Sequence, residues 1–318
     1  MNDVLLDVRD LRVEYVSDRG SACAVDGVSF SLQQGEVLGL AGESGCGKST
    51  IAHALIRTLR PPAIITGGQI IFQDRDVLDM QYQELEDFRW RCISLVFQSA
   101  LNALNPVMTI GDQIMDAIQA HQPIAMAVAR ERATGLLTLV GIEQRHLKSY
   151  PHQLSGGMRQ RAVIAIALAL TPPLVILDEP TTALDVVVQK EIMQQIERLK
   201  QQLELSILFI THDLSLLVEF ATRIAVMYAG EIVELAPARE LLALPLHPYT
   251  QGLMNSFPSI TGERKKLAGI PGAPPDLLNL PRGCRFHPRC PFAKPICSQA
   301  APILHWADKQ HQVACHLV

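Results

Sequence analysis

Apolar and polar positions along the chain fall into distinct regimes. Over residues 4–35 they alternate. Leu11, Val13 and Tyr15 share one face and Val28, Phe30 and Leu32 another, which predicts short half-buried strands. Gln33-Gln34-Gly35 makes a turn into Val37–Ala41, an unbroken apolar run of the kind a strand covered on both faces shows. Behind it Ile51, Leu55 and Leu59 recur every four residues, predicting a helix that runs until Pro61-Pro62 stops it. Gly67-Gly68 opens a further strand over 69–73. Apolar runs return at 93–97, 174–177 and 207–210, and a hairpin over 224–228 and 231–234 turns at Ala229-Gly230. Between 99 and 155 the period becomes helical, with Ile110, Ile114 and Ile118 on one face and Leu136, Leu137 and Val140 on another.

Strands separated by helices predict an α/β fold with a mostly parallel sheet covered on both faces. The N-terminal alternation predicts an antiparallel β subdomain, and residues 99–155 a helical subdomain inserted between strands. From Pro245 onward prolines crowd the chain and periodicity fades, as in a linker-like, extended segment. The organisation expected is one large domain over 1–255 and a small extension over 256–318.

Composition narrows the classes. With 28 basic against 32 acidic residues there is no electrostatic reason to expect nucleic-acid binding. The first residues are acidic and lack the apolar stretch of a signal peptide. The longest apolar run, Ala162–Leu170, is too short to span a bilayer. A cytoplasmic protein sitting against a membrane partner is expected, with its seven cysteines reduced or metal-bound.

The chemistry centres on Gly42-Glu43-Ser44-Gly45-Cys46-Gly47-Lys48-Ser49-Thr50, which fits G-x-x-x-x-G-K-[ST], the phosphate-binding loop, between the predicted strand and helix. Gly42, Gly45 and Gly47 let successive N–H groups point at one anion, and the helix N-terminus adds partial positive charge. Lys48 is expected on the β- and γ-phosphates and the Ser49 hydroxyl on Mg²⁺. Cys46 contributes its backbone to the loop and is expected to open it to thiol reagents. The strand at 174–177 ends in Asp178-Glu179. An acid at the first position suits Mg²⁺ coordination opposite the loop hydroxyl, and one at the next suits a water-activating base.

Upstream of those acids, Leu154-Ser155-Gly156-Gly157 resembles the signature loop of ATP-binding cassette (ABC) ATPases. The other motifs of that family follow in order. Tyr15 resembles its adenine-stacking aromatic, Gln98 its Q-loop glutamine, Ala183-Leu184-Asp185 its D-loop and His212 its switch histidine. The resemblance covers residues 4–255 and implies a phosphate-loop NTPase fold in which two cassettes pair head to tail. ATP then lies between the loop of one subunit, with Tyr15, Gly42, Ser44, Gly45, Gly47, Lys48, Ser49 and Thr50, and the partner's Ser155, Gly156 and Gly157. The same resemblance implies that Asp178 and Gln98 join Ser49 around Mg²⁺, that Glu179 is the base with Gln98 and His212 beside it in catalysis, and that Asp185 belongs to the nucleotide-binding set.

Residues 97–106, Met158–Arg161, Tyr228-Ala229-Gly230 and His247-Pro248-Tyr249-Thr250 resemble the ATPase subunits of dipeptide/oligopeptide importers. The nickel branch of that family shares several of these, so a metal-complex importer is the alternative, and a non-transport ABC ATPase a more distant one. Resemblance to the peptide branch implies a second cassette subunit, commonly a paralogue, two transmembrane permeases and an extracytoplasmic binding protein. It also implies a peripheral place on the cytoplasmic face of the inner (plasma) membrane. Four thiols in the tail, Cys284-x5-Cys290-x6-Cys297-x17-Cys315, can hold an Fe–S cluster or zinc. The branch resemblance implies [4Fe–4S], with zinc or free thiols as alternatives.

Overall fold

A computed structural model of the chain describes residues 4–18, 20–97, 103–182, 184–256 and 269–318. Its contacts divide into two units, one of residues 33–36 with 79–208 and one of residues 4–32, 37–78 and 209–318.

The second unit carries the N-terminal sheet. Strands β1 (Val4–Ser17) and β2 (Gly20–Gln33) are long rather than short, because one alternating pattern runs through each. With β4 (Ala63–Phe72) and β5 (Arg75–Asp76) they form a sheet of order β2-β1-β4-β5. Leu11 and Val13 are buried as expected, whereas Tyr15 is 37% exposed. Gly67-Gly68 lie inside β4, near where its register against β1 shifts between Arg9 and Val13. The glycines mark a bulge, not a strand start.

In the same unit β3 (Val37–Ala41), fully buried, pairs in parallel with β9 (Arg223–Tyr228). The hairpin of β9 with β10 (Glu231–Pro237) follows the predicted turn. Helix α1 (Lys48–Leu55) stops one turn before the prolines. Arg57 takes a left-handed φ of 51°. Thr58 N–H donates to His53 O at 2.9 Å and Arg57 N–H to Ala54 O at 3.0 Å, a Schellman stop made without glycine.

The other unit holds α2 (Tyr82–Arg91), β6 (Ile93–Val96), α3 (Ile110–His121), α4 (Met126–Leu139), α5 (Gly156–Ala167), β7 (Leu174–Asp178) and α6 (Val186–Leu203). Strands β6 and β7 pair in parallel. Ile110, Ile114 and Ile118 are wholly buried, as their spacing predicts. Thr109 caps α3 by accepting from Asp112 N–H at 3.2 Å. Strand β8 (Ser206–Thr211), buried throughout, runs across the division of the chain.

After β8 come α7 (Leu214–Phe220), α8 (Ala238–Ala243) and α9 (Pro248–Asn255). The proline-rich tail has little regular structure, yet it is folded into the second unit. Its two short strands, β11 (His305–Trp306) and β12 (Gln312–Val313), extend the β9–β10 hairpin, with Val313 opposite Glu234. Among the described residues no helix is long and apolar enough to cross a membrane.

His247 gives this unit a pH dependence. It is buried, caps α9 by accepting from Tyr249 N–H at 3.0 Å on Nδ1, and its own N–H donates to Glu234. Burial pushes its pKa down from 6.5 to about 4. The unfolded chain therefore takes up a proton below pH 6.5 that the native state refuses. Stability is full above that pH and falls as pH drops toward 4. Unfolding free energy should fall by about 2 kcal/mol between pH 7 and 5 from this residue alone. Urea titrations at both pH values check it, since His247→Asn keeps a capping acceptor and should flatten the difference.

Candidate nucleotide site and thiol cluster

The second unit builds the phosphate loop. β3 delivers the chain into Gly42 and α1 begins at Lys48. Gly47 has φ 108°, and a Cβ there would lie 2.2 Å from Ala24 O, so no other residue fits. Lys48 is 4% exposed and folds back over the loop, its Nζ donating to Gly42 O at 2.8 Å and Glu43 O at 2.9 Å. Ser44 and Gly45 form the exposed tip, and Ser49 is half-buried at the first turn of α1. The Tyr15 hydroxyl lies 3.2 Å from that of Thr50, so the exposed ring stands beside the same helix start.

Cys46 lies inside the loop rather than on its surface. It is 5% exposed, and burial pushes its thiol up against the opposing pull of Lys48. A protonated, covered thiol is a poor nucleophile, so slow reaction with thiol reagents is expected of it. In the same unit His212 is exposed at the end of β8, and Asp213 beside it caps α7 by accepting from Ser215 N–H at 3.0 Å.

The other unit carries the remaining candidates. Asp178 ends β7 and Glu179 follows it, 2% and 8% exposed. Glu179 has a left-handed φ of 47°, rare for a non-glycine residue, and this turns its carboxylate off the strand's alternation. The Thr182 hydroxyl donates to Glu179 Oε2 at 2.9 Å. Ser155 is the N-cap of α5, accepting from Met158 N–H at 3.3 Å, which leaves its O–H to donate elsewhere. Asp185 is the N-cap of α6, accepting from Val187 and Val188 N–H at 3.1 and 2.9 Å. The two caps are neighbours. A Cβ on Gly157 would lie 2.7 Å from Val188 Cγ1, so the glycine lets the start of α5 close on the first turn of α6. Gln98 and Ala183 lie outside the described residues.

The tail's four cysteines lie close enough to sense one another's charge. Cys284 N–H donates to Cys297 O at 2.8 Å. Burial pushes the Cys284 thiol up to about 11, and negative charge on Cys297 or Cys315 would push it further. Cys290 and Cys315 are also raised, first by burial, and both sense Cys297. Each sulfur is nonetheless approached by backbone N–H groups, from Phe286 and His287, Phe292, Lys294 and Leu317 respectively in the order 284, 290, 297, 315. Cys297 and Cys315 are buried and Cys284 and Cys290 half-buried, four thiols of the soft donor type that a metal centre uses.

Sequence reasoning missed the residues that tie this tail to the loop. Arg289 grips Glu43 with two hydrogen bonds, of 2.7 and 3.0 Å, between positions with no local pattern linking them. Tyr228, Tyr249 and Phe286 pack with ring centroids 4.6–5.4 Å apart beneath the pair. Arg285 pairs with Asp26 and Glu231. The motifs around Tyr228 and Tyr249 were visible as family marks, without a physical role.

The chain is similar to known proteins along most of its length. A family described as ABC transporter matches residues 25–182, and one described as the C-terminal region of oligopeptide/dipeptide transporters matches residues 233–297. The probable peptide ABC transporter ATP-binding protein y4tR of Sinorhizobium fredii is 44% identical over 98% of this chain and 95% of its own length. The oligopeptide transport ATP-binding protein OppD of Escherichia coli is 44% identical over 95% of this chain and 90% of its own. A solved dimer of the ATP-binding cassette MJ0796, bound to ADP and phosphate after hydrolysis, matches with a TM-score of 0.66 at 28% identity, covering 74% of this chain and 99% of that one. The chain belongs to the ATP-binding proteins of ABC transporters, in the oligopeptide/dipeptide branch.

Proposed function

We propose that this protein is the ATP-hydrolysing subunit of an importer for di- and oligopeptides. The observation that carries the reading is the phosphate loop, with Gly47 closed against Ala24 and Lys48 drawn over it, in a chain whose tail matches the oligopeptide/dipeptide region. Residues 1–255 would be the ATPase and 256–318 its cysteine-bearing extension.

In this reading Tyr15 stacks on adenine, the N–H groups of Gly42–Thr50 hold the phosphates, and Lys48 spans the β- and γ-phosphates. Ser49, Gln98 and Asp178 offer oxygen ligands that suit a hard divalent cation and would hold Mg²⁺, which neutralises charge on the transferring phosphoryl group. Glu179 accepts a proton from the attacking water and His212 steadies the γ-phosphate. Ser155, Gly156 and Gly157 act on the ATP of a partner cassette, and Asp185 shapes the same joint. Val186 and Val187, 80% and 69% exposed at the first turn of α6, support a face that another subunit covers. That partner is a second cassette, commonly a paralogue. ATP binding would close the pair and move two permeases, with the chain peripheral on the cytoplasmic face and an extracytoplasmic binding protein choosing the peptide.

Cys284, Cys290, Cys297 and Cys315 would hold a [4Fe–4S] cluster, a cross-link for a tail short of regular structure. No three of the described cysteine sulfurs lie within 4.8 Å of one another. A zinc tetrahedron built on Zn–S bonds of about 2.3 Å needs edges near 3.8 Å, so a single ion would require the thiols to draw together. Protein purified without oxygen should contain about four irons with matching acid-labile sulfide and absorb in the visible. Stoichiometric zinc without sulfide would replace the cluster with a single ion.

The transport reading is tested by uptake. Vesicles bearing this subunit with a second cassette, two permeases and a binding protein should accumulate labelled dipeptides or oligopeptides only with ATP inside. Accumulation of nickel and not of peptide would overturn the substrate class.

A further inference from the structure

Glu43, the second residue of the phosphate loop, is held at three points. Its N–H donates to the Tyr249 hydroxyl at 2.9 Å, its carbonyl accepts from Lys48 Nζ at 2.9 Å, and its carboxylate takes both arms of Arg289. Arg289 is buried and fully engaged. Nε donates to Pro271 O at 2.8 Å, Nη1 also reaches the Tyr228 hydroxyl at 3.3 Å, and Nη2 lies 3.4 Å from Gly272 O. The guanidinium sits 5.8 Å from the Tyr228 ring centroid. Arg289 directly precedes Cys290, and its N–H donates to Phe286 O at 3.0 Å, inside the cysteine-bearing turn. By contrast the loop tip has no packing of its own, since a Cβ on Gly45 would meet nothing within 4 Å.

We infer that Arg289 is a positioning residue for the phosphate loop, so that the cysteine-bearing tail sets the shape of its own subunit's nucleotide site through Glu43. The inference rests on the nucleotide-site reading above. Its physical content is a buried charge pair. A two-bond arginine–carboxylate contact fixes orientation as well as distance, which lysine cannot do. Removing the arginine leaves a half-buried carboxylate uncompensated at the edge of a site built for a highly negative ligand. Removing the carboxylate charge as well relieves that repulsion, and this makes the pair separable from mere tail stability.

The experiment uses the full chain purified without oxygen and measures Mg-ATP affinity, melting temperature and visible absorbance together. Arg289→Met should weaken ATP binding about tenfold. Arg289→Lys should fall between it and the wild type, and Arg289→Met with Glu43→Gln should recover to within about threefold of the wild type. Glu43→Gln alone, a milder change that leaves the carbonyl contacts of Arg289, should weaken binding about threefold and serves if Arg289→Met does not fold. Unchanged affinity in Arg289→Met or in Glu43→Gln, or a double variant binding as poorly as Arg289→Met, overturns the inference. Lys48→Ala is the control for the underlying reading. Unchanged ATP affinity there would remove the nucleotide site itself, a different failure from a silent Arg289.

Discussion

Replacing Glu179 with glutamine should cut ATP turnover by about 10²–10⁴-fold while leaving ATP binding intact, the range a positioned general base contributes. Glutamine keeps the size of the side chain and an oxygen able to accept from the Thr182 hydroxyl, now 2.9 Å from Glu179 Oε2. It lacks the basicity to take a proton from water. The left-handed backbone at Glu179 is a property of the turn, so the substitution adds no new strain. ATP would then bind and stay. Because closure of two cassettes depends on the difference in affinity between ATP and ADP states, an uncleaved ATP should hold the pair closed. Phosphate release and nucleotide retention, read with the mass of the complex, check both halves. Near-normal hydrolysis would take Glu179 out of the base role.

Lys48→Ala should fail at the earlier step, weakening ATP binding by about 10²-fold. The ammonium is already poised: 4% exposed and held by two loop carbonyls, it loses little freedom when a phosphate arrives. Charge-assisted hydrogen bonds are worth about 1.5–3 kcal/mol each, and alanine removes both the bonds to phosphate and those that brace Gly42 and Glu43. The two variants separate the roles, since Glu179→Gln should bind without turnover and Lys48→Ala should hardly bind. Equilibrium titration with a fluorescent ATP analogue distinguishes them.

The elements legible in the sequence were those whose signal is local. β3, β7 and β8 are buried on every residue and read as unbroken apolar runs. The phosphate loop needs its glycines for backbone reasons that hold in any fold, as Gly47 against Ala24 O illustrates. Where a local rule had two readings, the reading slipped. Pro61-Pro62 predicts the end of α1, but Arg57 accepts the left-handed turn four residues earlier, a role usually marked by glycine. Gly67-Gly68 seemed to open a strand and instead bulge within one. Asp185 and Ser155 carried family labels, yet their visible work is to cap α6 and α5. The tail was hardest. Prolines and scattered apolar residues announce no element, and what docks it is the Arg289–Glu43 pair and the rings of Tyr228, Tyr249 and Phe286, contacts between distant positions. Family marks at Tyr228 and Tyr249 thus gain a physical sense, as the floor under the loop and the seat of the cysteine-bearing turn.

ATP bound at this loop should be spent on peptide transport. Phosphate release by the assembled transporter, measured with and without peptide-loaded binding protein, tests it most directly. Hydrolysis should rise with the loaded binding protein and vanish in Lys48→Ala. Hydrolysis indifferent to peptide, or surviving Lys48→Ala, would contradict it.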